Sequence, residues 1–135
     1  MIAEFPAAAD IGEAAGDARY MYFSTFHWRR LLNGYSGFLP EPYLEFMMRM
    51  RSFPHRDALA YLASRNADYV VVHGAFMDPA RYADTCRTLD RDPAVALAER
   101  FRWEGREGSV YRLSRASPAV TRHADPVTLT IPFQR

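Results

Sequence analysis

Hydrophobic and polar positions along the chain change period several times, and each change marks an element. Ile2–Phe5 is a short extended run stopped by Pro6. Residues 6–17 are rich in Ala, Gly and acids without an apolar face, which predicts a loop with at most a helical turn. Residues 19–29 are dense in Tyr, Phe, Thr and Trp, side chains that suit a pleated, half-buried surface. At period two, Tyr20, Tyr22, Ser24, Phe26 and Trp28 share one face, and Met21, Phe23, Thr25 and His27 the other. Large apolar groups on both faces predict an interior strand. Asn33-Gly34-Tyr35-Ser36-Gly37 then predicts a loop, because Gly and Asn tolerate the positive φ of tight turns.

The period then lengthens. Pro42 suits a first helical position, and Tyr43, Phe46, Met47 and Met50 follow at the i, i+3, i+4, i+7 spacing of an amphipathic helix. Phe53-Pro54 ends it. A second helix is expected over residues 55–65 with Ala58, Leu59, Leu62 and Ala63 inward. Tyr69–His73 is a β-branched, buried strand closed by Gly74. Asp78-Pro79 supplies an N-cap and first turn for a third helix, striped by Tyr82, Cys86 and Leu89 and broken by Asp92-Pro93. Val95, Leu97, Phe101 and Trp103 alternate as a strand, residues 104–108 turn, and residues 109–113 return as the second arm of a hairpin.

Residues 114–135 form a polar, Pro-containing linker and tail, where Val127, Leu129 and Ile131 alternate with Thr128 and Thr130. That alternation suits either a last short strand or a tail that pairs elsewhere. The order β-β-α-α-β-α-β-β predicts a single α/β domain of the α+β kind over residues 1–113. Its expected architecture is a mixed β-sheet with about three helices packed on it and a C-terminal β-hairpin.

Composition narrows the function classes. A chain of 135 residues with 49% hydrophobic and 24% charged side chains can bury a core without disulfides or metal. A formal net charge of +1 argues against nucleic acid as a partner. All 17 basic residues are Arg, which reflects coding bias rather than chemistry. The single cysteine, Cys86, excludes an internal disulfide and a Cys-based zinc knuckle. It reads as a buried small hydrophobe. No apolar stretch approaches the roughly 20 residues of a membrane span, and the start has neither the basic nor the apolar region of a signal peptide. A cytoplasmic location is the default expectation, and nothing calls for a cofactor.

The densest polar-aromatic segment runs from Ser24 through Arg30 into the Asn-Gly loop. As a ligand site, Arg29 or Arg30 would fork onto a phosphate or carboxylate. Trp28 and Tyr35 would offer flat faces, and His27, Asn33 and Ser36 hydrogen bonds. The plainer reading makes Phe26 and Trp28 core, the arginines solvated and Asn-Gly a turn. Ser36 is a poor nucleophile candidate, since Phe38 stands where a Gly-x-Ser-x-Gly elbow needs its second glycine. His73 ends a buried strand, where open α/β sheets gather ligands, yet a lone His there is more often a hydrogen-bonded structural residue. The four histidines show no close metal-ligand pairing. The aromatic-methionine stripe of the first helix reads as core, and Met47, Met48 and Met50 make an adaptable surface that an interface could use.

The run Arg19-Tyr20-Met21-Tyr22-Phe23-Ser24-Thr25-Phe26-His27-Trp28-Arg29, then Leu32-Asn33-Gly34-Tyr35-Ser36-Gly37-Phe38 and Pro40, resembles a known region. It is similar to the soluble C-terminal, extracytoplasmic domain of bacterial multi-pass glycosyltransferases of the C superfamily, the mannosyltransferase-like membrane proteins. Tyr69–His73 and Val110-Tyr111-Arg112-Leu113 extend the resemblance over about residues 2–113. It implies a module detached from its membrane part, which holds the catalytic acid. The resemblance therefore implies a non-catalytic accessory domain that helps position a polyprenyl-phosphate sugar donor or a glycan acceptor. Its implied place is the extracytoplasmic face of the inner membrane, beside a membrane-embedded glycosyltransferase subunit. The ligand residues expected are His27, Trp28, Arg29, Asn33, Tyr35 and Ser36, with His73 behind them. Two other readings compete: a stand-alone interaction module that forms homo-oligomers through the tail or the Met-rich helix, and a small hydrolase or transferase with His27 or His73 as general base.

Overall fold

The computed structural model describes residues 1–34 and 37–114. Their order is β1 (Ile2–Phe5), α1 (Ala18–His27), α2 (Glu41–Met50), α3 (Arg56–Ser64), β2 (Tyr69–His73), α4 (Pro79–Arg91), β3 (Val95–Trp103) and β4 (Arg106–Leu113). The four strands form one mixed sheet in the order β1-β2-β4-β3. β1 lies parallel to β2 with Glu4 beside Val71, and β4 runs antiparallel to both β2 and β3. The α+β class, the mixed sheet and the C-terminal hairpin agree with the sequence reading, with four helices in place of about three.

α2, α3 and α4 cover one face of the sheet. Phe46, Met50, Leu59, Leu62, Cys86 and Leu89 pack there against Ala3, Phe5, Val70, Val72, Tyr111 and Leu113. The stripe Tyr43, Phe46, Met47 and Met50 is buried throughout, each side chain contributing about 1.5–3 kcal/mol by leaving water. Asp78 caps α4 as its sequence requires, its carboxylate accepting from the Ala80 and Arg81 N–H groups. The hairpin turn is tighter than expected: Glu104 and Gly105, both at positive φ, form it alone. No helix among the described residues is long and apolar enough to cross a membrane.

Residues 19–29 correct the sequence reading, because they form helix α1 and its cap rather than an interior strand. Burial along the segment follows the helical period: Tyr20 is buried, Phe23, Ser24 and His27 are half-buried, and Met21, Tyr22, Thr25 and Phe26 are exposed. The stripe at 20, 23, 24 and 27 is the i, i+3, i+4, i+7 pattern of a helix. Aromatic and β-branched residues have strand propensity only where a pleated surface receives them, and tertiary packing overrode it here. α1 lies on the sheet face opposite the other three helices, with Phe23 against Trp103 and Tyr20 against His73.

After α1 the chain returns along the outer edge of β1. The Ile2 N–H donates to the Arg30 carbonyl, and the Leu32 N–H donates to the Ile2 carbonyl. Asn33 completes this flank with its side chain: its Nδ2 donates to the Glu4 carbonyl at 2.7 Å, and its Oδ1 accepts from the Glu4 N–H at 2.9 Å. The predicted tail strand around Val127–Ile131 lies outside the described residues, as do Tyr35 and Ser36.

Candidate functional site

Helices cover both faces of the sheet at β1, α2 and α3 on one side and α1 on the other. Glu4 is therefore taken out of water, and its side chain is 2% exposed. It shares a sheet face with Tyr69, Val71 and His73, the face that α1 crosses. Two histidines meet it there. His73 Nε2 lies 2.7 Å from Glu4 Oε2, and His27 Nε2 lies 3.5 Å from Oε1. Burial alone would raise the Glu4 carboxyl; the hydrogen bonds from His27 and His73 outweigh it and hold Glu4 below its ordinary value.

The hydrogen bonds fix one tautomer. His27 Nδ1 accepts from the Arg29 N–H at 3.1 Å, so its proton sits on Nε2 and points at Glu4. His73 also faces Glu4 with Nε2, while its buried Nδ1 has no hydrogen-bond partner among the described residues. Around that ring stand Tyr20, Phe23, Phe76 and Phe101, with centroids 5.4–5.5 Å away. Gly108 makes the enclosure close. It pairs with His73 on one side and Phe101 on the other, and a Cβ there would overlap the Phe101 ring. Without one, the phenyl ring reaches across β4 to His73.

A carboxylate bonded to one imidazole nitrogen is the usual way to orient a general base, whose other nitrogen then faces the substrate. Neither histidine meets the second condition. One Nδ1 is occupied by a backbone N–H and the other is sealed by aromatic rings. The cluster's chemistry is positional: it pins the end of α1 to β1 and β2. The histidines approach different oxygens of Glu4, and among the described residues no three His, Cys, Asp or Glu side chains are placed to hold a metal ion.

Beyond the cluster the expected site residues divide. His27, Asn33 and His73 are inside; Asn33 is fully buried and both amide atoms serve β1. Trp28 and Arg29 are outside. Trp28 is 87% exposed and left-handed at φ 54°, with its N–H closing α1 on the Ser24 carbonyl. The Arg29 guanidinium lies 5.6 Å over the Tyr69 ring. Among the described residues no hydrogen bond or ion pair uses the guanidinium, whose N–H donors are left for a ligand. Glu4 is the residue that sequence reasoning missed. A carboxylate within a short apolar run that pairs on both sides must find a partner, and that was the available signal.

A second buried carboxylate stands where the chain enters α1. Asp17 accepts from Tyr43 Oη at 2.9 Å and from the Ala8 N–H at 3.2 Å. Here burial dominates, and it pushes the carboxyl up to about 6. Comparison with family models, curated proteins and solved structures finds no match to this chain.

Proposed function

We propose that this chain is a non-catalytic accessory domain related to polyprenyl-phosphate-sugar-dependent membrane glycosyltransferases. It would bind a sugar donor or glycan acceptor at the Trp28–Arg29 corner, on the extracytoplasmic side of a membrane-embedded glycosyltransferase subunit. The observation that carries the reading is Trp28. A left-handed helix cap favours Gly or Asn, and any other residue there costs about 1 kcal/mol. Trp28 bears that cost while almost wholly exposed, so neither packing nor backbone preference explains an indole at this position. An indole face receives the apolar face of a sugar ring, and the Arg29 edge receives an oxyanion. His27 and Asn33 act as positioning residues that hold the corner against β1.

The test is an NMR titration of the full chain with a short-chain polyprenyl-phosphate mannose and with a free mannose oligosaccharide. Shifts centred on residues 27–34 are expected, lost in Trp28→Gly although that variant is about 1 kcal/mol more stable. A folded wild-type chain with no response there refutes the reading.

A stand-alone interaction module is the second reading, favoured by the exposed Tyr22 and Phe26 rings that meet edge to face on α1. It predicts concentration-dependent self-association in sedimentation, abolished by Phe26→Ser and unaffected by sugar.

A further inference from the structure

A separate cleft of about 130 Å³ opens on the far side of the sheet from the Glu4 cluster, between the start of the chain, α2 and α4. Phe5 and Phe53 line it, their rings stacked at 3.7 Å, and Met50 and Met77 add apolar wall. Its charged side chains are of one sign. Arg51 and Arg81 line the cleft together with Thr85, and no acidic side chain does.

The cations are unspent. Arg51 donates Nε to the Ala9 carbonyl at 3.1 Å, which fixes the group at the rim and leaves its terminal nitrogens without a partner among the described residues. Neither Arg51 nor Arg81 forms an ion pair among the described residues. Thr85 is buried, and its hydroxyl makes no hydrogen bond with them. The nearby acids, Asp17 and Glu13, are turned onto the Ala8 and Ala9 N–H groups, bracing the wall that residues 6–9 form.

From these residues we infer a binding site for a small organic anion: an oxyanion head between Arg51 and Arg81, hydrogen-bonded by Thr85, on an apolar body against Phe5 and Met77. The volume is close to that of engineered cavities of about 150 Å³ that admit benzene. It suits a fragment-sized carboxylate or phosphate ester. The site is independent of the glycan reading, because it shares no residue with the Trp28 corner.

Heteronuclear NMR of the full chain with benzoate, phenyl phosphate, inorganic phosphate and neutral benzyl alcohol tests it. Saturable shifts at Ala7, Ala8, Met77 and Thr85 are expected with benzoate or phenyl phosphate. Arg81→Ala should weaken them roughly tenfold, the loss of one charge-assisted hydrogen bond. Arg81 is exposed, so its variant keeps the fold, and unchanged peaks in α3 verify that. The stronger of the two aromatic anions identifies the head group. Equal binding of benzyl alcohol, phosphate binding without either aromatic anion, or no saturable shift in the folded chain each overturns the proposal.

Discussion

Two carboxylates, Glu4 and Asp17, are buried to the same degree, each 2% exposed, yet the protein treats them in opposite ways. Glu4 receives donors that can themselves carry charge, and ionisation is favoured despite burial. Asp17 receives a phenol and an amide, both neutral, and burial prevails. The difference teaches that depth does not set the charge state of a buried acid; the identity of the donors does. Glu4 is built to be an anion at neutral pH and Asp17 sits near its balance point.

Glu4→Gln breaks the comparison with the largest effect. It leaves two imidazole N–H groups facing one amide oxygen and should cost about 3–5 kcal/mol in urea unfolding. A loss below about 1 kcal/mol would show that the cluster contributes no more than an ordinary hydrogen bond. Next comes the pH dependence. Asp17 holds its proton more tightly folded than unfolded, so its contribution is full below its ordinary value of 3.8 and is lost as pH rises through about 6. That loss is on the order of 2–3 kcal/mol. Glu4 runs the other way: its contribution is present above 4.5 and disappears as pH falls below it. Stability should therefore peak at about pH 4, where the two windows overlap, and Asp17→Asn should flatten only the alkaline side of the peak. Tyr43→Phe is the mildest intervention, costing about 1 kcal/mol. Its sharper readout is the Asp17 carboxyl, which should titrate still higher in a carbon-detected NMR series.

Much of the scaffold was legible because its elements carry one dominant period. The Tyr43 to Met50 stripe, the β-branched run of β2 and the Asp78-Pro79 cap each have a single physical interpretation. α1 was misread because its composition and its period disagree. Its rings favour a strand, its spacing fits a helix, and the sheet face that selects the helix is built from β1, β2 and the hairpin. The site was half legible. Trp28, Arg29, His27 and His73 stood out as chemistry-bearing residues, but what joins the histidines is Glu4, distant in sequence from both. Only the parallel pairing of β1 with β2 brings the three together. Asn33 was visible as a turn former, and its role as a rung beside β1 depends on that same strand.

The hydrogen bonds along the outer flank of β1 also limit how this protein can assemble. Arg30, Leu32 and the Asn33 amide use the outward backbone groups of Ile2 and Glu4. Among the described residues, β3 is left as the open side of the sheet. It carries Glu99, Arg100 and Arg102 and an irregular register between Leu97 and Glu99, features that discourage docking. A sheet closed on one side cannot propagate. Among the described strands, two copies meeting β3 to β3 would use up the open edge, so strand addition through β3 terminates at a pair.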